Sequence, residues 1–102
     1  MSIAITAETA QILQWLEPRE DVDVALRQVL ENEIRRRLAA YELTDRMFRR
    51  KYGMTLAEFE AASIVEKQGY SHEVESDHQD WDQAVDGIET LRQALRKLQE
   101  QQ

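Results

Sequence analysis

Two histidines and a run of carboxylates are the side chains in this chain best suited to chemistry. His72 and His78 stand among Glu73, Glu75, Asp77, Asp80 and Asp82. Imidazole with carboxylates is a donor set for a divalent cation, and the same groups can move protons. Their intervals match no metal-binding motif. Asp77, Asp80 and Asp82 also have a simpler role, as acids at the positive end of a helix dipole. No nucleophile, glycine-rich phosphate loop or second anchoring motif accompanies them. The expectation is a protein that is not an enzyme and uses no cofactor or metal. The chain has no Cys, which excludes disulfides, thiolate catalysis and Cys-based zinc sites.

A second set of residues is basic. Arg35, Arg36 and Arg37 form one group; Arg49, Arg50 and Lys51 form another, close to four helical turns further on. Such a face could contact phosphates, with Arg35, Arg36, Arg49 and Arg50 as the nucleic-acid candidates. Acids one turn earlier oppose this, in the pairs Glu31–Arg35, Glu33–Arg37, Glu42–Arg46 and Asp45–Arg49. A solvated, internally balanced face is the expectation.

The net charge of −7 is unevenly placed. Residues 1–53 carry nine basic and nine acidic groups, whereas residues 54–102 carry four basic and eleven acidic ones. An acidic half repels nucleic acid and suits a basic protein surface. Tyr70, Glu73, Glu75, Asp77 and Trp81 are the candidate partner-binding residues in that half.

The element that has to position all of these is a long helix. Leu26, Val29, Leu30, Ile34, Leu38, Tyr41, Met47, Phe48 and Tyr52 recur at helical intervals with no Pro or Gly between them. The spacing predicts one helix from Val24 to Tyr52, roughly 43 Å long at 1.5 Å per residue. Asp21 or Asp23 is its N-cap and Gly53 its C-terminal stop. A rod of that length has more apolar stripe than short helices can cover, which predicts a homodimer through it. Ahead of it, Ser2 to Thr6 alternates like a short strand. Thr6 caps a helix over Ala7–Leu16, which Pro18 terminates. After it, Thr55 and Glu58 form a capping box that opens a helix to about Ala62. Ile64 and Val65 pack on the core, and Gly69 turns the chain. Tyr70 to Glu75 reads as a strand or extended strap. Ser76 with Gln79 reads as a second capping box, opening a helix over Asp77–Leu98. Its stripe is Trp81, Ala84, Val85, Ile88, Leu91, Leu95 and Leu98.

These elements give a mainly α fold: a long central helix, shorter flanking helices and a short N-terminal strand. Residues 1–53 form the dimerisation region and residues 54–102 the acidic partner-binding region of one compact unit. The N-terminus lacks the basic start and apolar run of a signal peptide, and no stretch is apolar enough to span a membrane. A cytoplasmic location is expected.

Two stretches resemble a group of small prokaryotic antitoxin-like proteins, the partners encoded beside a toxin. The first is Tyr41-Glu42-Leu43-Thr44-Asp45-Arg46 with Phe48-Arg49-Arg50-Lys51-Tyr52-Gly53-Met54. The second is Gly69-Tyr70-Ser71, then Glu73-Val74-Glu75-Ser76-Asp77, Trp81 and Asp86-Gly87-Ile88. The resemblance covers about residues 34–98 and carries no catalytic residues. The layout of Ser2 to Ala40 is similar to that of ribbon-helix-helix antitoxins, whose paired strands enter the DNA major groove. Here the outward strand positions are Ser2, Ala4 and Thr6, none of them a base-reading side chain. The resemblance implies an antitoxin-like protein that binds and neutralises a cognate toxin, which the acidic half suggests is a basic, ribonuclease-type protein. The alternatives are a dimeric, autoregulatory DNA-binding regulator and a structural homo-oligomer.

Overall fold

In a computed structural model, residues 4–18 and 21–101 are described. They form five helices and no strand: α1 (Ala7–Leu16), α2 (Val22–Tyr52), α3 (Leu56–Ala61), α4 (Ile64–Lys67) and α5 (His72–Glu100). Local chemistry sets the ends of α2. The Asp21 carboxylate accepts from the Asp23 N–H at 2.9 Å. At the other end, Gly53 adopts φ 68° and its N–H closes the last turn on the Arg49 carbonyl at 2.8 Å. The 31 residues between them run unbroken.

α2 and α5 make an antiparallel hairpin. Lys51 meets Glu73 and Asp77, Asp45 meets Trp81, and Glu42 meets Arg92, so one helix descends as the other rises. The molecule measures 57 × 25 × 22 Å. α3 and α4 fill the turn between the long helices. The Thr55–Glu58 capping box starts α3, with bonds of 3.2 and 3.0 Å. Positive φ values at Ser63, Gly69 and Tyr70 fold the connection back into α5.

The core sits at this closed end. Phe48, Leu56, Phe59, Val74 and Trp81 are buried together, with Tyr52, Met54, Ile64, Val65 and Val85 packed against them. Trp81 is wholly buried and stacks between Phe48 and Tyr52 at centroid distances of 5.6 and 5.9 Å. Its Nε1–H donates to Asp45 at 2.9 Å, so the indole is satisfied inside the core. Further along, Tyr41 lies so close to Gly87 that a Cβ there would stand 2.7 Å from the ring. At the open end α1 folds back on α2, and Leu13 and Ala25 are the buried side chains there.

Several expectations change. The N-terminal strand is not formed: Ala4 to Thr6 have no strand pairing among the described residues, and the Thr6 hydroxyl instead caps α1 by accepting from the Thr9 N–H at 3.1 Å. Ser2 lies outside the described residues, and no ribbon-helix-helix arrangement is present among those described. Tyr70–Glu75 is no strap, because α5 begins at His72, capped by Ser71 rather than Ser76. The earlier start buries Val74, one more residue of the α5 stripe. Ile64–Lys67 forms a helical turn of its own. Glu42 pairs with Arg92 across the hairpin instead of with Arg46. Tyr41, Phe48 and Tyr52 of the α2 stripe meet α5, while Leu30 and Met47 stay exposed.

Candidate functional site

Two carboxylates of the cluster, Glu73 and Asp77, form a structural clasp, and neither histidine belongs to it. Asp77 accepts from Lys51 at 2.5 Å and from the Tyr52 hydroxyl at 2.6 Å, while Lys51 also donates to Glu73 at 2.9 Å. This ties the C-terminus of α2 to the N-terminus of α5, a cation at the negative helix end and anions at the positive one. Burial pushes the Asp77 carboxyl up, but hydrogen bonds from Lys51 and Tyr52 and the Lys51 charge outweigh it and hold it below the usual range. Burial first, then the bond to Asp77, pushes the Tyr52 phenol up to about 12. The bonds to Asp77 and then Glu73 raise Lys51. His78 stands 3.5 Å from Glu60 and tilts over the Phe59 ring, 5.6 Å between centroids. His72 is exposed at the first position of α5. Among the described residues no group of three or more His, Asp or Glu converges on a point where an ion could sit.

Most of the basic candidates are committed to neighbours. Arg35 pairs with Glu31 at 2.9 Å, Arg36 with Glu33 at 2.6 Å and Arg49 with Asp45 at 3.0 Å. Glu33 also takes Arg37, and the hydrogen bonds from Arg36 and then Arg37 hold its carboxyl down at about 2. Arg46 and Arg50 make no ion pair with a described residue, and with Leu43 and Met47 they line a shallow groove of about 250 Å³. A second groove, of about 420 Å³, runs between α2 and α5 along Glu42, Asp45, Arg49, Val85, Ile88 and Arg92. Asp45–Arg49 and Glu42–Arg92 pair within it, and Glu89 and Arg96 also line it without an ion pair to a described residue, three acids balancing three bases.

The partner-binding candidates divide sharply. Tyr70 is 60% exposed at the turn, and Glu75 is half-buried on the outer side of α5. Glu73 is exposed but bonded to Lys51. Asp77 is mostly covered and sits inside the clasp. Trp81 cannot reach a partner without opening the core. A feature represented in that candidate set by Glu75 alone is an acidic side of α5. Glu75, Gln79, Asp82, Asp86, Glu89 and Gln93 recur at heptad-like intervals and share one side of the helix. None of Glu75, Asp82, Asp86 and Glu89 makes an ion pair with a described residue, and no cation interrupts the row. From Glu75 to Glu89 it extends roughly 21 Å at 1.5 Å per residue. The signal was present in the sequence as the complement of the apolar stripe, but it was masked by reading Ser76 as the helix start.

Against known proteins, the chain matches no family model, no curated protein and no solved structure.

Proposed function

We propose that this chain is an antitoxin-like interaction protein that binds and neutralises a basic, ribonuclease-type toxin. The observation that carries the reading is the acidic row on α5: four carboxylates on one side of a long helix, three of them exposed and none in an ion pair with a described residue. A row of that kind attracts a nucleic-acid-binding surface by charge complementarity and blocks it by occupying the place of phosphates. The hairpin supports it by fixing the row on a helix anchored at both the clasp and the aromatic core. The DNA-regulator alternative draws less support, since Arg35, Arg36 and Arg49 are held by carboxylates.

The test is co-expression with the toxin-sized product of a neighbouring reading frame. The expected result is restored growth and a stoichiometric complex that salt weakens, because rim charges are screened. Asp82→Lys, Asp86→Lys and Glu89→Lys together reduce association at least about tenfold. Helix content by circular dichroism is the control. Unchanged association, or tight sequence-specific DNA binding by the chain alone, overturns the proposal.

A further inference from the structure

The outer side of α2 carries a surface that the hairpin leaves unused. Leu43 is 60% and Met47 57% exposed, and with Arg46 and Arg50 they line a groove of about 250 Å³. Leu43 and Met47 stand one helical turn apart, and so do Arg46 and Arg50. The groove therefore lies between two neighbouring rows of residues spaced by four, the channel into which the ridge of a second helix packs. Ala39 is exposed and extends the apolar row by one turn, with too small a side chain to obstruct a helix laid along it.

The two walls differ in chemistry. One is apolar. The other is cationic, and neither of its guanidinium groups meets a carboxylate among the described residues. The acids that spacing alone would give them are turned away. Glu42, one turn before Arg46, is drawn across the hairpin to Arg92, and Asp45 takes the Trp81 indole and Arg49. Arg35, Arg36 and Arg37, by contrast, are held by Glu31 and Glu33. Two unpaired arginines thus stand beside the two most exposed large apolar side chains of α2.

Charge complementarity selects the occupant. Filling this groove takes an apolar ridge against Leu43 and Met47, with carboxylates one turn apart against Arg46 and Arg50. An acidic amphipathic helix offers both. A second copy does not. The acidic row of α5 contains no large apolar side chain, and two copies meeting face to face on α2 bring four unpaired guanidinium groups together. Nucleic acid finds no aromatic ring in the groove to stack a base, and two guanidinium groups neutralise too few phosphates to hold a strand. A bilayer finds only two large apolar side chains.

We propose that the groove between Leu43–Met47 and Arg46–Arg50 docks an acidic amphipathic helix of a second protein, its apolar ridge on Leu43 and Met47 and its carboxylates on the two arginines. The contact spans about two turns, roughly 10 Å, and is therefore weak and exchanging. Asp45, Phe48 and Tyr52 face α5 from the other side of α2. The groove is thus separate from the acidic row, and this docking can fail without affecting toxin neutralisation.

The test is fluorescence anisotropy of a labelled synthetic helix of repeated Glu-Leu-Ala-Glu-Glu-Leu-Ala units, titrated with the full chain. The expected result is saturable binding in the micromolar range. Arg46→Ala with Arg50→Ala, and separately Leu43→Ala with Met47→Ala, each weaken it about tenfold or more. All four positions are exposed and alanine favours helix, so circular dichroism is unchanged. Lys67→Ala with Lys97→Ala removes the same two charges elsewhere and leaves binding within about twofold. The peptide with Gln for every Glu binds about tenfold more weakly or worse. The proposal is overturned by an absence of binding up to about 100 μM, by binding that survives either pair of changes in the groove, or by equal affinity for the Gln peptide. It is also overturned if a single-stranded oligonucleotide or phosphatidylglycerol vesicles bind more tightly and the arginine pair abolishes that binding.

Discussion

The two ends of the hairpin are built from the same two helices and are stabilised differently. At the closed end, α2 and α5 are capped by α3 and α4, and five buried apolar side chains interlock with Tyr52 and its neighbours. At the open end a single short helix covers α2, and three apolar residues of that helix face solvent. Two long helices alone leave much of each cylinder wet. Whether apolar side chains are buried therefore depends on a third layer. The closed end has that layer in α3 and α4; the open end has only α1.

The comparison is broken most directly by exchanging tryptophans. Trp81→Ala removes a fully buried ring and the donor to Asp45, and lowers unfolding free energy by about 3–5 kcal/mol. Trp15→Ala, at a position 74% exposed, changes it by less than about 0.5 kcal/mol. Denaturant titration of both variants checks the contrast, and equal losses refute it.

The clasp comes next. Asp77→Ala strands the Tyr52 hydroxyl and leaves Lys51 with Glu73 alone, and costs about 1–3 kcal/mol. Its pH dependence has a definite sign. The Asp77 carboxyl is lowered by the fold, so its stabilisation is present above the ordinary carboxylate range and is lost as pH falls through the lowered value. Tyr52 and Lys51 are raised by the fold. Their stabilisation is full below about pH 10 and is lost as pH rises; for Tyr52 the loss completes near 12. Melting temperature followed at both extremes of pH, in wild type and Asp77→Ala, reads this directly. A variant with the wild-type acid and alkaline slopes refutes the clasp.

Gly87 gives a smaller effect with an informative sign. Alanine is the better helix former by about 1 kcal/mol, yet a Cβ here meets the Tyr41 ring at 2.7 Å. Gly87→Ala is therefore destabilising by about 1 kcal/mol. In a Tyr41→Ala background the same change becomes stabilising. The smallest effect is at the surface: Glu33→Gln breaks the pairs with Arg36 and Arg37 but shifts the denaturation midpoint little, because all three side chains are well exposed.

The sequence by itself determined the helices at either side of the connection and most of their ends. Periodicity set α2, and Thr6, Asp21, Gly53 and the Thr55–Glu58 box act on backbone groups within four residues of themselves. Such signals are local, so they survive without tertiary context. The start of α5 was misread because Ser71 and Ser76 both offer a cap, and only the packing of Val74 into the aromatic core selects the first. The tertiary structure alone decided which charges are free. Lys51 is consumed by Asp77, 26 residues away in sequence, Trp81 by Asp45 at 36 and Arg92 by Glu42 at 50. Pairings at that separation depend on the register in which the two long helices lie together. That register is set by how side-chain volumes fit between them, which composition and spacing do not encode residue by residue.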